Sequence, residues 1–124
     1  AVDQAIARYI FKNNVGIGAQ SQLWTHMKFG DVMVGCRFNS SKKLLIEDDA
    51  WLVGHCLVSP VHIGRSSLAM LGSLITKNME ENHVYAGSPA KDITNKIGNQ
   101  FAETSMDIRK DIIVNKMKDF AKNL

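Results

Sequence analysis

An apolar or small residue recurs every six positions through the middle of this chain. The series is Ile46, Leu52, Val58, Ile63, Ala69 and Ile75, in steps of six, six, five, six and six. A thin residue follows four places later at Ala50, Cys56, Ser67 and Ser73, with Val61 taking that place in the short repeat. An amphipathic helix recurs at 3.6 and a half-buried strand at 2, so neither explains a period of six. A triangular coil with three flat faces does. One repeat makes one face, and three make a turn of about 18 residues. The first apolar residue of each hexapeptide points inward, and the thin residue lets the chain turn. Such a coil buries its apolar row only against its neighbours. Parallel strands then stack about 4.8 Å apart. The five-residue step, Val58-Ser59-Pro60-Val61-His62 before Ile63-Gly64, removes one residue from a corner.

Upstream the pattern is looser. Phe11, Ile17 and Leu23 are six apart, with Val15 and Ser21 in the thin or β-branched place, and Ala5 extends the series weakly. Asn13-Asn14 suits a corner, because asparagine tolerates left-handed backbone. Between Met27 and Leu45 the period is lost, in a segment holding Gly30, Gly35, Asn39, Ser40, Ser41, Lys42 and Lys43. It reads as an excursion that leaves the coil and returns at Ile46, and long loops of this kind carry function. The other reading is one irregular coil with a turn at Asn39-Ser40-Ser41. Gly87 and Pro89 mark the end of the repeat. The tail then changes period. Met106, Ile113, Met117, Phe120 and Leu124, with Ile112 beside them, share one face of an amphipathic helix. Thr104 or Ser105 can cap it, Asp107 suits its first turn, and Lys118 and Lys122 suit its C-terminal end. The expected organisation is a repeat domain over 1–95, with the excursion at about 27–45, and a linker plus helix over 96–124. The helix is expected to pack on the coil or on a neighbouring subunit.

Composition excludes several classes. The 124 residues suggest one domain, and 22% of them are charged with a net charge of +3. Lys and Arg are interspersed with Asp and Glu, so neither a basic stripe nor a nucleic-acid module is present. No apolar run approaches the roughly 20 residues of a membrane span. Residues 1–15 lack a basic start followed by an apolar run, which predicts no secretory leader and a cytoplasmic protein. Cys36 and Cys56 are 20 apart and form no CxxC. Reduced thiols and no zinc are the expectation.

Three segments carry a family resemblance. Ile46-Glu47-Asp48-Asp49-Ala50-Trp51-Leu52-Val53-Gly54 resembles the "IGDNVWIG" segment of hexapeptide-repeat acyltransferases. Ile63-Gly64-Arg65-Ser66-Ser67-Leu68-Ala69-Met70-Leu71-Gly72-Ser73-Leu74-Ile75-Thr76-Lys77-Asn78 resembles their "IGDGAVIGAGSVVTKD". Val84-Tyr85-Ala86-Gly87-Ser88-Pro89-Ala90-Lys91 resembles their "VVAGNPAK". The sugar and xenobiotic O-acetyltransferases are the most similar members. The resemblance implies a left-handed parallel β-helix. It also implies acetyl transfer from acetyl-CoA to a hydroxyl of a sugar-like small molecule, and a homotrimer with each active site between two prisms. The hand comes from the family alone, because parallel crossovers are otherwise nearly always right-handed.

The chemistry needs a base for the attacking hydroxyl, and histidine titrates near working pH. The resemblance assigns that role to His26, upstream of the tryptophan repeat and beside the excursion. His55 reads as outward-facing or cleft-lining, and His62 and His83 as solvent-exposed. For the coenzyme, Gly54, Leu71 and Gly72 match positions along the pantetheine arm, where backbone donors approach the ligand. Thr76 and Lys77 match a pair near the phosphate end, and Lys91 a basic position that contacts the nucleotide phosphates. Trp51 is expected to line the cleft near the acyl group. Val53 stands where glycine is common, Leu71 where alanine is, and Pro60-Val61-His62 is one residue short of the family segment. A non-catalytic scaffold is one alternative. A γ-carbonic-anhydrase-like metal enzyme is a weaker one, because the position five after His55 is Pro60, which cannot ligate.

Overall fold

The computed structural model describes residues 9–28, 39–102 and 104–124, and their side chains except at 26–28 and 39–41. The expectations placed on Ala5, Gly30, Gly35 and Cys36 lie outside the described residues. Three strands open the fold: β1 (Tyr9–Phe11), β2 (Gly16–Ile17) and β3 (Gln22–Leu23). Next come β4 (His26–Lys28) and β5 (Asn39–Ser41), paired antiparallel with each other. The hexapeptides then supply β6 (Leu44–Ile46), β7 (Trp51–Leu52), β8 (Leu57–Val58), β9 (His62–Ile63), β10 (Leu68–Ala69) and β11 (Leu74–Ile75). After them come β12 (Val84–Gly87), β13 (Ala90–Asp92), α1 (Thr94–Ile97) and α2 (Met106–Lys122).

Successive strands fall in different sheets. Setting the β4–β5 pair aside, every third strand returns to the same one as far as β11, after which the Met79 bridge takes the first-face place and β12 and β13 join the second. The first face is β1-β6-β9, the second β2-β7-β10-β12-β13 and the third β3-β8-β11. All pairings within the faces are parallel except β12–β13. This is the cyclic order that a three-faced coil requires. The register stacks the inward residues in columns. Phe11, Ile46 and Ile63 align on the first face, with Met79 bridged to Ile63. Ile17, Leu52, Ala69 and Tyr85 align on the second, and Leu23, Val58 and Ile75 on the third.

All six inward residues of the repeat are buried, and so are the thin ones at Ala50, Cys56, Ser67 and Ser73. The buried hydroxyls need partners. Ser67 Oγ donates to the Gly64 carbonyl and Ser73 Oγ to the Met70 carbonyl, each at 2.6 Å. Cys56 is a free, buried thiol. Phe11 and Ile17 hold the inward register yet remain exposed. They belong to the first described coil, which among the described residues has a neighbour on one side only.

The corners explain the count of six. Asn14, Asp49, Ser66 and Asn82 have φ between 54° and 61°, each three places after an inward residue of the first face. Gln20, His55 and Gly72 do the same after the second face, at φ 59°, 49° and 74°. One left-handed residue therefore makes each of these turns. The corner after the third face, at 59–61 and 76–78, has none. It is the corner from which the five-residue step drops a residue, and Pro60 is buried there. Ile46 to Ile63 thus spans 17 positions rather than 18.

Two sequence expectations shift. The chain is back on the first face by Leu44, two residues before Ile46, because a three-residue strand gives two inward positions, Leu44 and Ile46. Asn39-Ser40-Ser41 lies in β5 rather than in a turn. The helix α2 starts at its expected cap, with Ser105 Oγ accepting from the Ile108 N–H at 3.2 Å. Its apolar stripe does not pack on the sheets, and no residue of α2 is buried. Its tie to the coil is Arg109, whose guanidinium donates to both Asp49 oxygens at 2.9 and 3.0 Å. That pairing, then the bond from Asn14, holds the Asp49 carboxyl below its ordinary range.

Stacking sets the sensitivity to mutation. Leu52→Ala should lower unfolding free energy by about 2–5 kcal/mol in urea melts. A Cβ at Gly64 would sit 2.7 Å from Met79 O and Glu81 N, backbone atoms of the next coil. Gly64→Ala should therefore be at least as damaging, whereas exposed Lys118→Ala should stay within about 0.5 kcal/mol.

Candidate active site

His26 opens β4 directly after buried Thr25, in register with Ser41 of β5. The Lys42 N–H donates to the Thr25 carbonyl at 3.0 Å and closes the base of this antiparallel pair. The histidine thus stands where the chain leaves the third face, before it rejoins the first.

Trp51 lies outward on the second face, 46% exposed, with its ring seated against Gly16 of the neighbouring coil. Any side chain at residue 16 would collide with the indole. Gly54, His55, Leu71 and Gly72 form the corner between the second and third faces. Leu71 is 65% exposed, and its Cδ1 approaches within 3.4 Å of where a Gly54 Cβ would sit. Nothing lies within 4 Å of the corresponding point on Gly72, so the surface there is open. The Gly72 N–H, expected as a donor to a ligand, already donates to the Gly54 carbonyl at 2.9 Å. Inter-coil stacking claims it first.

Thr76, Lys77 and Lys91 are brought together. They line one cleft of about 270 Å³ with Asn78, Tyr85 and Asp92. Thr76 and Lys77 also line an adjoining cleft of about 480 Å³ with Lys42, Lys43 and His62. The two lysines before β6, and Asn78, Tyr85 and Asp92, were not read from the sequence. Lys42 and Lys43 sit two coils below Lys77, with the Pro60 corner between them, a neighbourhood that the register reveals and sequence distance hides. His62 is exposed and bonded to Glu47 at 3.0 Å. His62, then Lys12, holds the Glu47 carboxyl below its ordinary range.

Apart from Trp51 on the second face, the cofactor residues expected from sequence therefore sit on opposite edges of the third face. Gly54, Leu71 and Gly72 occupy one corner, and Thr76, Lys77 and Lys91 the other. Between them the outer side of the face carries an apolar hollow of about 340 Å³ lined by Gln22, Trp24, Leu57, Ser59 and Leu74.

One charged cluster borders the lysine cleft. Asp92 Oδ2 meets His83 Nδ1 at 2.5 Å, and Glu80 Oε2 lies 3.5 Å from the same nitrogen. Asp92 Oδ1 accepts from both the N–H and the hydroxyl of Thr94. The Thr94 hydroxyl, then His83, lowers Asp92 to about 2. Asp92 in turn raises His83 above its ordinary value. Among the described residues, this is the group whose ligand atoms could share a metal ion, all lying within 4.8 Å of one another. It lies apart from His55 and Pro60, where the metal-enzyme alternative would need its ligands.

No family model matches the chain. The galactoside O-acetyltransferase of Lactococcus lactis subsp. lactis is 41% identical over 56 residues, which is 44% of this chain and 26% of that protein. A galactoside acetyltransferase solved in complex with coenzyme A superposes with a TM-score of 0.61 at 26% identity, covering 68% of this chain and 44% of the other. The chain resembles hexapeptide-repeat acetyltransferases in both sequence and fold. The N-acyltransferase AntD of Bacillus cereus, solved with dTDP and 3-hydroxybutyryl-CoA, gives a TM-score of 0.63 over 94% of this chain and 61% of its own. At 14% identity that match shows the fold alone. The chain spans about a quarter of the curated relative's length and under half of the galactoside enzyme solved with coenzyme A.

The cluster makes a measurable prediction. An NMR titration should place His83 above its ordinary 6.5, and Asp92→Asn should bring it down towards that value. The raised histidine adds stability that is full below 6.5 and lost as pH rises through its folded value. The depressed Asp92 adds stability present above its ordinary 3.8 and lost as pH falls towards about 2.

Proposed function

We propose that this chain is the repeat portion of an acetyl-CoA-dependent O-acyltransferase, acting on a hydroxyl of a sugar or related small molecule, with His26 as general base. The observation that carries this reading is the convergence of Thr76, Lys77 and Lys91 in one cleft, in a chain similar to a galactoside O-acetyltransferase. Two ammonium groups, a hydroxyl and the Tyr85 phenol suit the phosphates of coenzyme A. The open corner at Gly72 suits a thin pantetheine arm, with Leu71 narrowing the approach at Gly54.

Transfer needs no covalent enzyme intermediate. His26 accepts the hydroxyl proton as the acceptor oxygen bonds to the thioester carbonyl carbon. The tetrahedral oxyanion then collapses, the carbon–sulfur bond breaks, and the proton passes from His26 to the departing thiolate. Trp51 stands on the flank nearest the expected acyl end and shields it from water.

The left hand of the β-helix and the homotrimer are part of the same reading. The two groups of cofactor residues lie at opposite edges of the third face. One extended coenzyme can meet both kinds of contact when the Gly72 corner of one copy faces the Thr76 corner of the next. The apolar hollow around Trp24 and Leu57 supports burial of that face. The catalytic part is read as 1–95, with 96–124 as an appended linker and helix. No helix of the described residues is long and apolar enough to cross a membrane. A cytoplasmic setting agrees with the free Cys56 thiol.

The test is a calorimetric titration with acetyl-CoA, followed by thiol release against a panel of monosaccharides and nucleotide sugars. Lys77→Ala and Lys91→Ala should each weaken coenzyme binding. His26→Ala should leave affinity largely intact and lower turnover by about 10²–10⁴-fold. No binding at millimolar acetyl-CoA would favour the non-catalytic scaffold instead.

A further inference from the structure

The lysine cleft has a feature that a phosphate site should lack. Among its lining residues stands a carboxylate, Asp92, directly after Lys91. An unpaired carboxylate there would repel the anion that Lys77 and Lys91 attract. Asp92 is not unpaired. Its Oδ2 meets the His83 imidazole, and its Oδ1 is fixed by Thr94. We propose that His83 is a positioning residue for this cleft: its protonated ring neutralises Asp92 and pins β13, so the cleft holds a phosphate-bearing ligand well while His83 is charged and poorly once it is neutral. This rests on the reading of the cleft as the place of the coenzyme's phosphates.

The backbone supports the link. β13 pairs antiparallel with β12, setting Ala86 opposite Lys91 and Tyr85 opposite Asp92. The His83–Asp92 contact closes the end of that ladder, next to the Ile93 N–H bond to the Val84 carbonyl at 2.8 Å. Holding Asp92 therefore also fixes where Lys91 starts. The charged and titratable groups around His83 are Asp92 from β13, Glu80 from the preceding corner and Tyr85 from β12. The Tyr85 hydroxyl accepts from the Glu80 N–H at 2.8 Å. Arg65 and Glu81 at the same corner are bonded to each other. Two carboxylates thus face His83. Loss of its proton leaves Asp92, which lines the cleft, uncompensated and still ionised.

The probe is adenosine 3′,5′-bisphosphate, titrated calorimetrically into the full chain at pH 7 and pH 9. Both values lie above the second phosphate ionisation near pH 6, so the ligand's charge changes little. Wild type should bind about three- to ten-fold more weakly at pH 9, the size of one partly screened charge a few ångströms away. His83→Gln should bind at the weak level at both pH values. Asp92→Asn should bind at least as well as wild type at pH 7 and show no pH step, since its amide can still accept from Thr94. The double variant should recover most of the loss in His83→Gln, which a purely structural role for His83 would not allow. Equal wild-type affinity at both pH values, or a double variant as weak as His83→Gln, overturns the proposal and leaves the acyltransferase reading standing. Failure of wild type to bind the bisphosphate or acetyl-CoA at either pH overturns both.

Discussion

In-register stacking of each coil on the next is the contact on which every other position depends. It runs through backbone bonds such as Trp51 N–H to the Ser67 carbonyl and Leu57 N–H to the Ser73 carbonyl, at 2.9 and 3.0 Å. Short strands of two or three residues could not persist alone. They persist because each pairs with a neighbour of the same rhythm, and the inner ones rest their inward side chains on counterparts above and below. The same stacking fixes corner chemistry. A left-handed residue at the first corner of four described coils, and at the second corner of three, keeps the turns superimposed, so Asn14, Asp49, Ser66 and Asn82 form one polar edge. That edge is where Arg109 anchors α2.

Stacking also decides what the surface can do. It engages the Gly72 N–H, leaving that corner with open space rather than a free donor. It lines up Lys42 and Lys43 with Lys77 across coils and gathers cations at the corner that has no left-handed residue. At the end of the stack the chain reverses into β13, and this returning strand carries Lys91 and Asp92 to Thr76 and His83. Ligand chemistry accumulates where the regular coil stops. Repeats leave their interior no freedom, so the polar clefts among the described residues lie at corners and at the exit.

The rhythm from Ile46 to Ile75 was legible because burial in a coil is a local consequence of position within six residues. Each of those inward residues is buried. The upstream series Phe11, Ile17 and Leu23 keeps the register with less burial, as the first described coil has cover on one side only. Thr76 and Lys77 were readable as a pair, and Lys91 as their basic companion. Tyr85, Asn78 and Asp92 were not, because nothing in their spacing announces that β13 turns back antiparallel. The uncovered stripe of α2 was readable as a stripe, but not as one lacking a partner on the sheets.

By itself the sequence determined the coil: its period, its inward columns, the short corner at Ser59–Val61 and the capped helix at Ser105. These follow from covalent spacing and from which side chains avoid water. Only the tertiary structure decided the contacts between residues far apart in the chain, such as Arg109 with Asp49 and His83 with Asp92. It also decided that Gly54 and Gly72 lie across a face from Thr76 and Lys77. Those relations depend on how coils of 16 or 17 residues superimpose, and a one-residue change in coil length would move every one of them.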